Sequence, residues 1–313
     1  MKLGSLEFHT AGIRDLKFVA NECKNARHLI SASSDNSIAI WKRINSHGDG
    51  GFFWECARQM TRHKKLVSSI SLHPSRRVLV SVSEDKTLRL WNLLHGRQAF
   101  ATALKDAETV EFSPLGGHIM LQYPNKLSIV SLASYSKSDG SVLVSHDTSA
   151  ITANSRIIAE TEDHIYVALG CGKSVSFMRV AKKIGSNCEE IGSIIVPGKR
   201  VKCLDSLTLS DCKNKILFCF SSTESEISYI RGYLLNLDQK LDVTNSNSMK
   251  LQFTYDLPNA RITKLRVSWR NKALETEEAH EVENDQVKLD ESELESSAEE
   301  ESDLENYSTA SNE

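Results

Sequence analysis

Two histidines, His9 and His63, are the side chains best placed for acid–base chemistry, because imidazole titrates near neutral pH. Each stands just before a segment of alternating apolar and polar residues. A catalytic site would also need a nucleophile and a group that stabilises an anion at a related spacing, and the sequence offers neither. The position before a strand, with an aspartate and a tryptophan downstream, instead favours a structural hydrogen-bonding role.

Two further patterns resemble binding sites and fall short of them. Residues 170–174 (Gly-Cys-Gly-Lys-Ser) end like a phosphate-binding loop, but the full pattern needs glycine where Val167 stands, which favours a simple turn. Cys203, Cys212 and Cys219 are close in sequence, yet Cys203 and Cys219 fall in apolar strand patterns typical of core cysteines. We expect a protein that is not an enzyme, with no cofactor, no metal site and no small-molecule substrate.

The elements that position these residues are revealed by an internal repeat. Residues 29–41 align with residues 79–91 at an offset of 50 with no gap, and five of the thirteen positions are identical. Each segment predicts an alternating strand, a tight turn and a second alternating strand. Trp41 and Trp91 could serve as ligand platforms, but the repeat places both in the core.

This pattern resembles the WD-repeat family of β-propellers, in which a four-stranded blade recurs every 40–50 residues or so. In such a blade a loop histidine, a strand hydroxyl, a turn aspartate and a strand tryptophan can bond in series, which satisfies buried polar groups and fixes strand register. Ser33 and Ser83 are alternatives for the hydroxyl position. The residues that match the network are His9, Ser31, Asp35 and Trp41 in one blade and His63, Ser81, Asp85 and Trp91 in the next.

The rest of the chain predicts weaker blades of the same kind. Residues 110–132, 165–178 and 201–237 have strand patterns without the full signature, and residues 261–269 read as the first strand of a sixth unit. We therefore expect an all-β WD-repeat β-propeller over residues 1–274, with about five recognisable blades. Residues 2–8 look like an outer strand without its blade, which predicts either an open propeller or a seven-bladed propeller that lacks one or two blades at its N-terminal side; we favour the second interpretation.

The net charge of −3 conceals two opposite halves. Residues 275–313 carry 16 acidic side chains and one basic one, a net of −15, which leaves +12 in residues 1–274. The acidic segment lacks apolar periodicity and predicts a disordered tail. The basic half suggests phosphate backbones as partners, although a solvated surface is the alternative. Its clusters are Arg58, Arg62, Lys64 and Lys65; Arg76 and Arg77; Lys182 and Lys183; and Lys199, Arg200 and Lys202.

Four serines in the tail have a glutamate three positions later, which resembles the sites of acidophilic kinases of the casein kinase type. They are Ser292, Ser296, Ser297 and Ser302. Phosphorylation would add about −1.5 to −2 charge units at each serine. A segment that only improves solubility is an equally good interpretation.

Residues 71–100 carry a narrower resemblance, through His73-Pro74-Ser75, Arg89-Leu90-Trp91-Asn92-Leu93 and Gly96-Arg97-Gln98-Ala99-Phe100. They resemble the p21-activated-kinase-interacting WD-repeat family and its fungal counterparts. The resemblance implies a scaffold of the nucleus and nucleolus that assists large ribosomal subunit assembly and pre-rRNA processing. Its partners would be pre-ribosomal proteins and pre-rRNA; the alternative is a signalling adaptor that binds and restrains a p21-activated kinase.

Two features of composition agree with an intracellular protein. No run approaches the roughly 18 consecutive apolar residues of a membrane helix, so no membrane partner is expected. The seven cysteines, without a paired short spacing, fit reduced thiols.

Overall fold

The structure is a computed structural model that describes residues 8–19, 26–45, 52–132, 142–148, 152–183, 185, 187–196, 200–209, 215–224, 227–238, 240–241, 248–258 and the single positions 262, 265 and 267. Several expectations fall outside these residues. They are the outer strand at residues 2–7, most of the sixth unit, the boundary at residue 274, and the acidic segment with its four serines.

Five four-stranded antiparallel sheets make up the described chain, and in each sheet neighbours in sequence are also neighbours in space. The prediction of an all-β propeller with five recognisable blades is confirmed. Among the described residues, no helix is long and apolar enough to cross a membrane.

Each blade is a meander of four consecutive strands. The first two blades, which contain the sequence repeat, comprise β1 (Ile13–Phe18), β2 (His28–Ser33), β3 (Ile38–Asn45) and β4 (Phe52–Met60), then β5 (Val67–Leu72), β6 (Val78–Ser83), β7 (Thr87–Asn92) and β8 (Arg97–Ala103).

The remaining three blades follow in chain order. They comprise β9 (Thr109–Phe112), β10 (His118–Tyr123), β11 (Lys126–Ser131) and β12 (Val142–Asp147); β13 (Thr152–Glu160), β14 (His164–Cys171), β15 (Ser174–Ala181) and β16 (Cys188–Ile195); and β17 (Arg200–Thr208), β18 (Lys215–Glu224), β19 (Ile227–Asn236) and β20 (Met249–Pro258).

The repeat sets the register of the two strongest blades. Trp41 pairs with Leu29, and Trp91 pairs with Leu79 at the corresponding place in the next sheet. The turns before these tryptophans contain Asn36 (φ 72°) and Lys86 (φ 62°) in the left-handed region, which asparagine adopts more readily than lysine. The same turn geometry therefore returns each third strand in the same register.

The apolar core lies between successive blades. One cluster combines Ile30 and Ile38 of the first blade with Val67, Ile70 and Trp91 of the second. Three further clusters join the second blade to the third, the third to the fourth and the fourth to the fifth in the same way. Each sheet thus buries its faces against its neighbours, which is the packing that sheets of this size need.

Side-chain oxygens of the first strands accept hydrogen bonds from backbone N–H groups further along the chain, and such bonds satisfy buried amides that a sheet ladder leaves over. Three of them tie the first blade to the second, the second to the third and the third to the fourth, and the last reaches Val267, which follows the fifth blade. The bonds run from Ile70 to Asp15 (3.1 Å), from Phe112 to Ser71 (2.9 Å), from Ile157 to Glu111 (3.0 Å) and from Val267 to Asp205 (2.5 Å).

Candidate functional site

The first blade brings together the four residues that its repeat singled out. The two ring nitrogens of His9 lie 2.9 Å from Asp35 Oδ2 and 2.7 Å from Ser31 Oγ. Trp41 Nε1 donates to the same serine oxygen at 2.8 Å. Asp35 is held in turn by the hydroxyl of Ser37, which donates at 2.6 Å. The chain of bonds runs from the loop before β1 through β2 to β3.

The second blade repeats this network almost atom for atom. His63 lies 2.9 Å from Asp85 Oδ2 and 2.7 Å from Ser81 Oγ, and Trp91 Nε1 donates to Ser81 at 2.8 Å. Thr87 donates to Asp85 at 2.6 Å, as Ser37 does to Asp35. Two blades separated by 50 residues therefore carry one bonding pattern.

Hydrogen bonds keep the two aspartates ionised. Burial would raise the pKa of Asp85, but bonds from Thr87, from the Lys64 amide and from His63 outweigh it and lower the pKa to about 2. The pKa of Asp35 is likewise lowered to about 2 against the effect of burial. Burial also lowers the pKa of His63, more than the neighbouring Asp85 raises it. The folded blade thus favours a neutral His63 beside a charged Asp85.

A serine, a histidine and an aspartate in series are also the components of a hydrolytic triad, but these cannot act as one. Ser31 and Ser81 have no exposed surface, and each oxygen already accepts an indole N–H. A nucleophile must approach a substrate with a free lone pair. The arrangement therefore fastens strands together.

Ser33 and Ser83, the alternative hydroxyls, have a different task. Ser33 donates to the Ala11 carbonyl at 3.1 Å, and Ser83 donates to that of Lys65 at 2.9 Å. Each oxygen also accepts the amide of the turn aspartate. Ser33 and Ser83 thus connect the loop before the first strand to the turn that contains the aspartate, and they are not links between the histidine and the tryptophan.

The third blade has apolar packing where the first two blades have the polar network. Val130 pairs with Ile119, the place that tryptophan occupies in the first two blades, and both belong to one apolar cluster with Leu121. In the fourth blade, Gly172 (φ 56°) and Lys173 form the two-residue turn between β14 and β15, so residues 170–174 are a hairpin and not a phosphate loop.

A charged cluster connects the first strands of the third, fourth and fifth blades. Arg156 lies 2.9 Å from Glu111 and 3.0 Å from Asp205. The side chain of Asp205 is only 2% exposed, and burial raises the pKa of Glu111. Sequence reasoning missed this cluster because its members come from three different strand patterns.

Most of the basic residues predicted from sequence lie at the two ends of the propeller, whereas Arg58 and Lys202 lie within β4 and β17. Arg62, Lys64 and Lys65 follow the fourth strand of their blade, as does Arg200 at the start of β17. Residues 76–77 and 182–183 lie on connections at the opposite end, because alternate connections of a meander share an end. Lys182 is 2.9 Å from Glu160 and is therefore paired. Lys199 lies outside the described residues.

A cleft of about 540 Å³ opens between β4 of the first blade and β7–β8 of the second. We call it the arginine cleft: Arg62, Arg89 and Arg97 line it, and Arg58 borders it. Met60 and Trp91, which are 3% and 1% exposed, also line it. The sequence marked Arg58 and Arg62 as members of a basic cluster, and residues 96–100 as part of the narrower family resemblance. It did not show that Arg62 and Arg97 line the same cleft.

Arg58 crosses the turn that precedes β8. It donates to the carbonyl of His95 at 2.6 Å, and its side chain passes so close to Gly96 that a Cβ there would lie 2.1 Å from Arg58 Cδ. Gly96 also has a φ of +57°, which suits glycine. Because Gly96 has no side chain, Arg58 of the first blade can extend across the edge of the second blade.

The family model for the WD domain, G-beta repeat, matches residues 1–42 and 54–92, which include both polar networks. The β-propeller domain of Cps50 (Swd1) from Myceliophteria thermophila superposes with a TM-score of 0.52 at 16% identity, covering 79% of this chain and 72% of that one. This likeness shows the fold alone.

Two curated relatives share a name. The chain is 29% identical over 236 residues to p21-activated protein kinase-interacting protein 1-like from Danio rerio, covering 75% of this chain and 55% of that protein. It is 37% identical over 130 residues to the protein of that name from Gallus gallus, covering 41% and 32%. The chain thus spans about half the length of the first relative and a third of the second. Together the repeats and the blade networks make the chain a WD-repeat β-propeller, and its sequence is similar to the p21-activated protein kinase-interacting protein 1-like proteins.

Proposed function

We propose that this protein is a non-catalytic scaffold of the nucleus and nucleolus that binds pre-ribosomal proteins and pre-rRNA during assembly of the large ribosomal subunit. A WD-repeat propeller is a protein-binding platform, and that much follows from the fold and the family. The ribosomal role is the finer part of the proposal. Binding to a precursor of the large ribosomal subunit has to be argued from the chemistry of the surface and not from the fold, because propellers serve many tasks.

The observation that carries the proposal is the exposed positive charge at both ends of the propeller. Lys64, Lys65, Arg77, Lys183 and Arg200 are exposed, and among the described residues none forms an ion pair with a carboxylate. Unpaired basic residues distributed over two surfaces suit a partner with many phosphates and several contact points, such as a ribonucleoprotein particle. The buried state of both histidine networks supports a non-catalytic role.

The test is affinity purification of the tagged full chain from cells, with and without nuclease, followed by identification of the bound proteins and RNA. The proposal expects large-subunit precursors, with part of the RNA and RNA-bridged proteins lost after nuclease. Substitution of Lys64, Lys65 and Arg200 by glutamine should reduce recovery, whereas Glu55→Gln and Glu84→Gln, at exposed acidic positions, should not. Unchanged precursor profiles after depletion of the protein would contradict the role.

The names of the relatives support a second candidate, a kinase adaptor. Those proteins are called p21-activated protein kinase-interacting, and the same capacity here would make the propeller a partner that restrains such a kinase. The discriminating measurement is direct binding of the purified chain to the regulatory segment of the kinase after nuclease treatment. Binding that survives nuclease, without ribosomal precursors in the cellular purification, would favour the adaptor.

A further inference from the structure

The arginine cleft carries positive charge that the described part of the chain does not neutralise. Among the described residues, no carboxylate forms an ion pair with any of its four arginines, which are Arg58, Arg62, Arg89 and Arg97. The side chains of Arg62 and Arg97 are exposed, and neither donates a hydrogen bond within the same part of the chain. Guanidinium groups around one concavity repel each other, so an anion bound between them is stabilised.

The other two arginines are held in place by neutral acceptors. Arg89 donates through Nε to Thr87 Oγ1 at 3.3 Å and through Nη1 to the side-chain oxygen of Gln98. Arg58 donates through Nη1 to the carbonyl of His95 at 2.6 Å. A guanidinium group has five N–H donors, so these bonds fix its position and leave further donors for an anion. The cleft is therefore preorganised for a ligand with several acceptor oxygens.

The cleft lies between the two basic ends of the propeller. One border is the connection that follows β4, which also carries Lys64 and Lys65. Another is the turn between β7 and β8, at the opposite end, where the amide of Leu93 donates to the carbonyl of Arg77 at 2.9 Å. Positive charge therefore continues from one end, through the cleft, to the other. A linear polyanion can contact all three regions at once, whereas a small anion can contact only one.

The lining of the cleft distinguishes between kinds of polyanion. Met60 and Trp91 border it, but they are only 3% and 1% exposed and offer almost no surface to a ligand. The exposed side chains of the lining are arginines and the neutral polar residues Gln59, Thr61 and Gln98.

This lining suits phosphates better than an acidic protein segment. Protein partners gain most of their affinity from aromatic and aliphatic anchors that fill pockets, and exposed ion pairs add little. Phosphate backbones need no such anchor, because guanidinium groups bind phosphate oxygens directly and release condensed counterions. The described side chains of the cleft therefore favour a nucleic acid.

The same lining favours a base-paired nucleic acid over a single strand. Proteins bind single strands largely through exposed aromatic faces on which bases stack, and the indole of Trp91 is buried with its N–H bonded to Ser81. A base-paired helix hides its bases and presents its phosphates outward. Contacts to phosphate alone can hold such a helix without reading its sequence.

We propose that the arginine cleft binds the phosphate backbone of base-paired RNA, with Lys64, Lys65 and Arg77 contacting phosphates on either side of it. The inference rests on the proposed function, which names pre-rRNA as a partner, and assigns that contact to one surface. Because the cleft contacts only the backbone, two RNA helices of equal length and different sequence bind equally well.

The experiment measures binding of fluorescent RNA hairpins to the purified full chain by anisotropy, at several salt concentrations between about 50 and 200 mM. The double variant Arg62→Gln/Arg97→Gln should weaken binding at least about tenfold at the lowest salt. The slope of log affinity against log salt should become shallower by about two, one for each lost phosphate contact. Two hairpins with different stem sequences should show the same losses.

The matched control is Lys215→Gln/Lys250→Gln, which removes the same charge from two exposed positions of the fifth blade. It should change the affinity less than about twofold, because neither lysine borders the cleft. Thermal unfolding checks that both double variants keep the fold. If Arg62→Gln/Arg97→Gln has lost stability, the single variant Arg62→Gln, on an exposed connection, should still reduce the slope by about one.

Four results would overturn the proposal: no binding of the hairpins by the unmodified chain, equal losses in the two double variants, tighter binding of an oligouridylate or of a DNA duplex than of the hairpins, or equally tight binding of a polyglutamate of the same charge. Any of them would leave the proposed function intact, because pre-ribosomal proteins could still recruit the chain. Absence of large-subunit precursors from the cellular purification, with the hairpin results as expected, would contradict the ribosomal role alone.

Discussion

The indole Nε1 of Trp91 donates a hydrogen bond to Ser81 Oγ at 2.8 Å, and both side chains are almost completely buried. The same serine oxygen lies 2.7 Å from His63 Nε2. One hydroxyl thus serves an indole and an imidazole at once. Fifty positions earlier, Ser31 occupies the same place between Trp41 and His9.

Removal of that hydroxyl should destabilise the protein. In Ser81→Ala the indole N–H of Trp91 loses its acceptor in a place that water does not reach, so the free energy of unfolding should fall by roughly 1–3 kcal/mol. Urea unfolding followed by tryptophan fluorescence measures it. Ser75→Ala removes an exposed hydroxyl that contacts only His73 and the turn, and should change stability by less than about 0.5 kcal/mol. Equal effects of the two substitutions would show that the network adds nothing to stability.

The pKa values of His63 and Asp85 predict that acid weakens the fold in two steps. The pKa of His63 in the folded protein is lowered below 6.5, so the unfolded chain binds more protons below that pH. The stability associated with a neutral His63 is therefore fully present above pH 6.5 and is lost as the pH falls below it. The pKa of Asp85 falls from 3.8 to about 2, so its contribution is complete above pH 3.8 and is lost towards pH 2.

Thermal unfolding between pH 8 and pH 5 tests the first step, and NMR titration of the His63 ring should give a pKa below 6.5. The pKa of His28 is also lowered, by burial first and by Lys42 and Arg27 next, so the measurement belongs in a His28→Gln background. A melting temperature that rises on acidification through pH 6, or a His63 pKa above 6.5, would contradict the expected direction.

The sequence was sufficient for the residues of the two strong blades because a gapless repeat fixes register. With Trp41 and Trp91 aligned, the serine and aspartate positions followed, a histidine lay upstream of each repeat, and the structure brings those residues together. The outer strands, such as β4 and β20, have weak alternation because few residues on either face are buried, and no pattern marked them. The arginine cleft could not be predicted, since Arg62 and Arg97 meet only when two blades pack.

The charged cluster of the first strands provides a third prediction. Arg156→Met should lower the free energy of unfolding by roughly 2–4 kcal/mol, because Asp205 and Glu111 lose their cation; partial exposure of the arginine keeps the loss below that of a fully buried pair. Chemical denaturation at pH 7 measures it.

Arg179 supplies the control for this substitution. It pairs with Glu189 at 2.6 Å on the surface, and Arg179→Met should cost only about 0–1 kcal/mol. Replacement of Glu111 and Asp205 by Gln and Asn in the Arg156→Met chain should recover part of the lost stability. An Arg156→Met protein as stable as Arg179→Met would mean that water or rearrangement compensates the carboxylates fully.

Gly96 and Gly172 allow backbone strain to be separated from contact with Arg58. Both have almost the same left-handed backbone, with φ of 57° and 56°, but a Cβ at Gly172 would meet nothing within 4 Å. Gly172→Ala should therefore cost only the conformational strain, about 1 kcal/mol. Gly96→Ala should cost more, because the new methyl group also displaces Arg58 from the His95 carbonyl. In an Arg58→Ala background the cost of Gly96→Ala should fall to that of Gly172→Ala, as measured by chemical denaturation of the four variants. If the extra cost persists without the arginine, the turn itself and not the crossing side chain requires glycine, and the contact between the two blades at the cleft would have no energetic role.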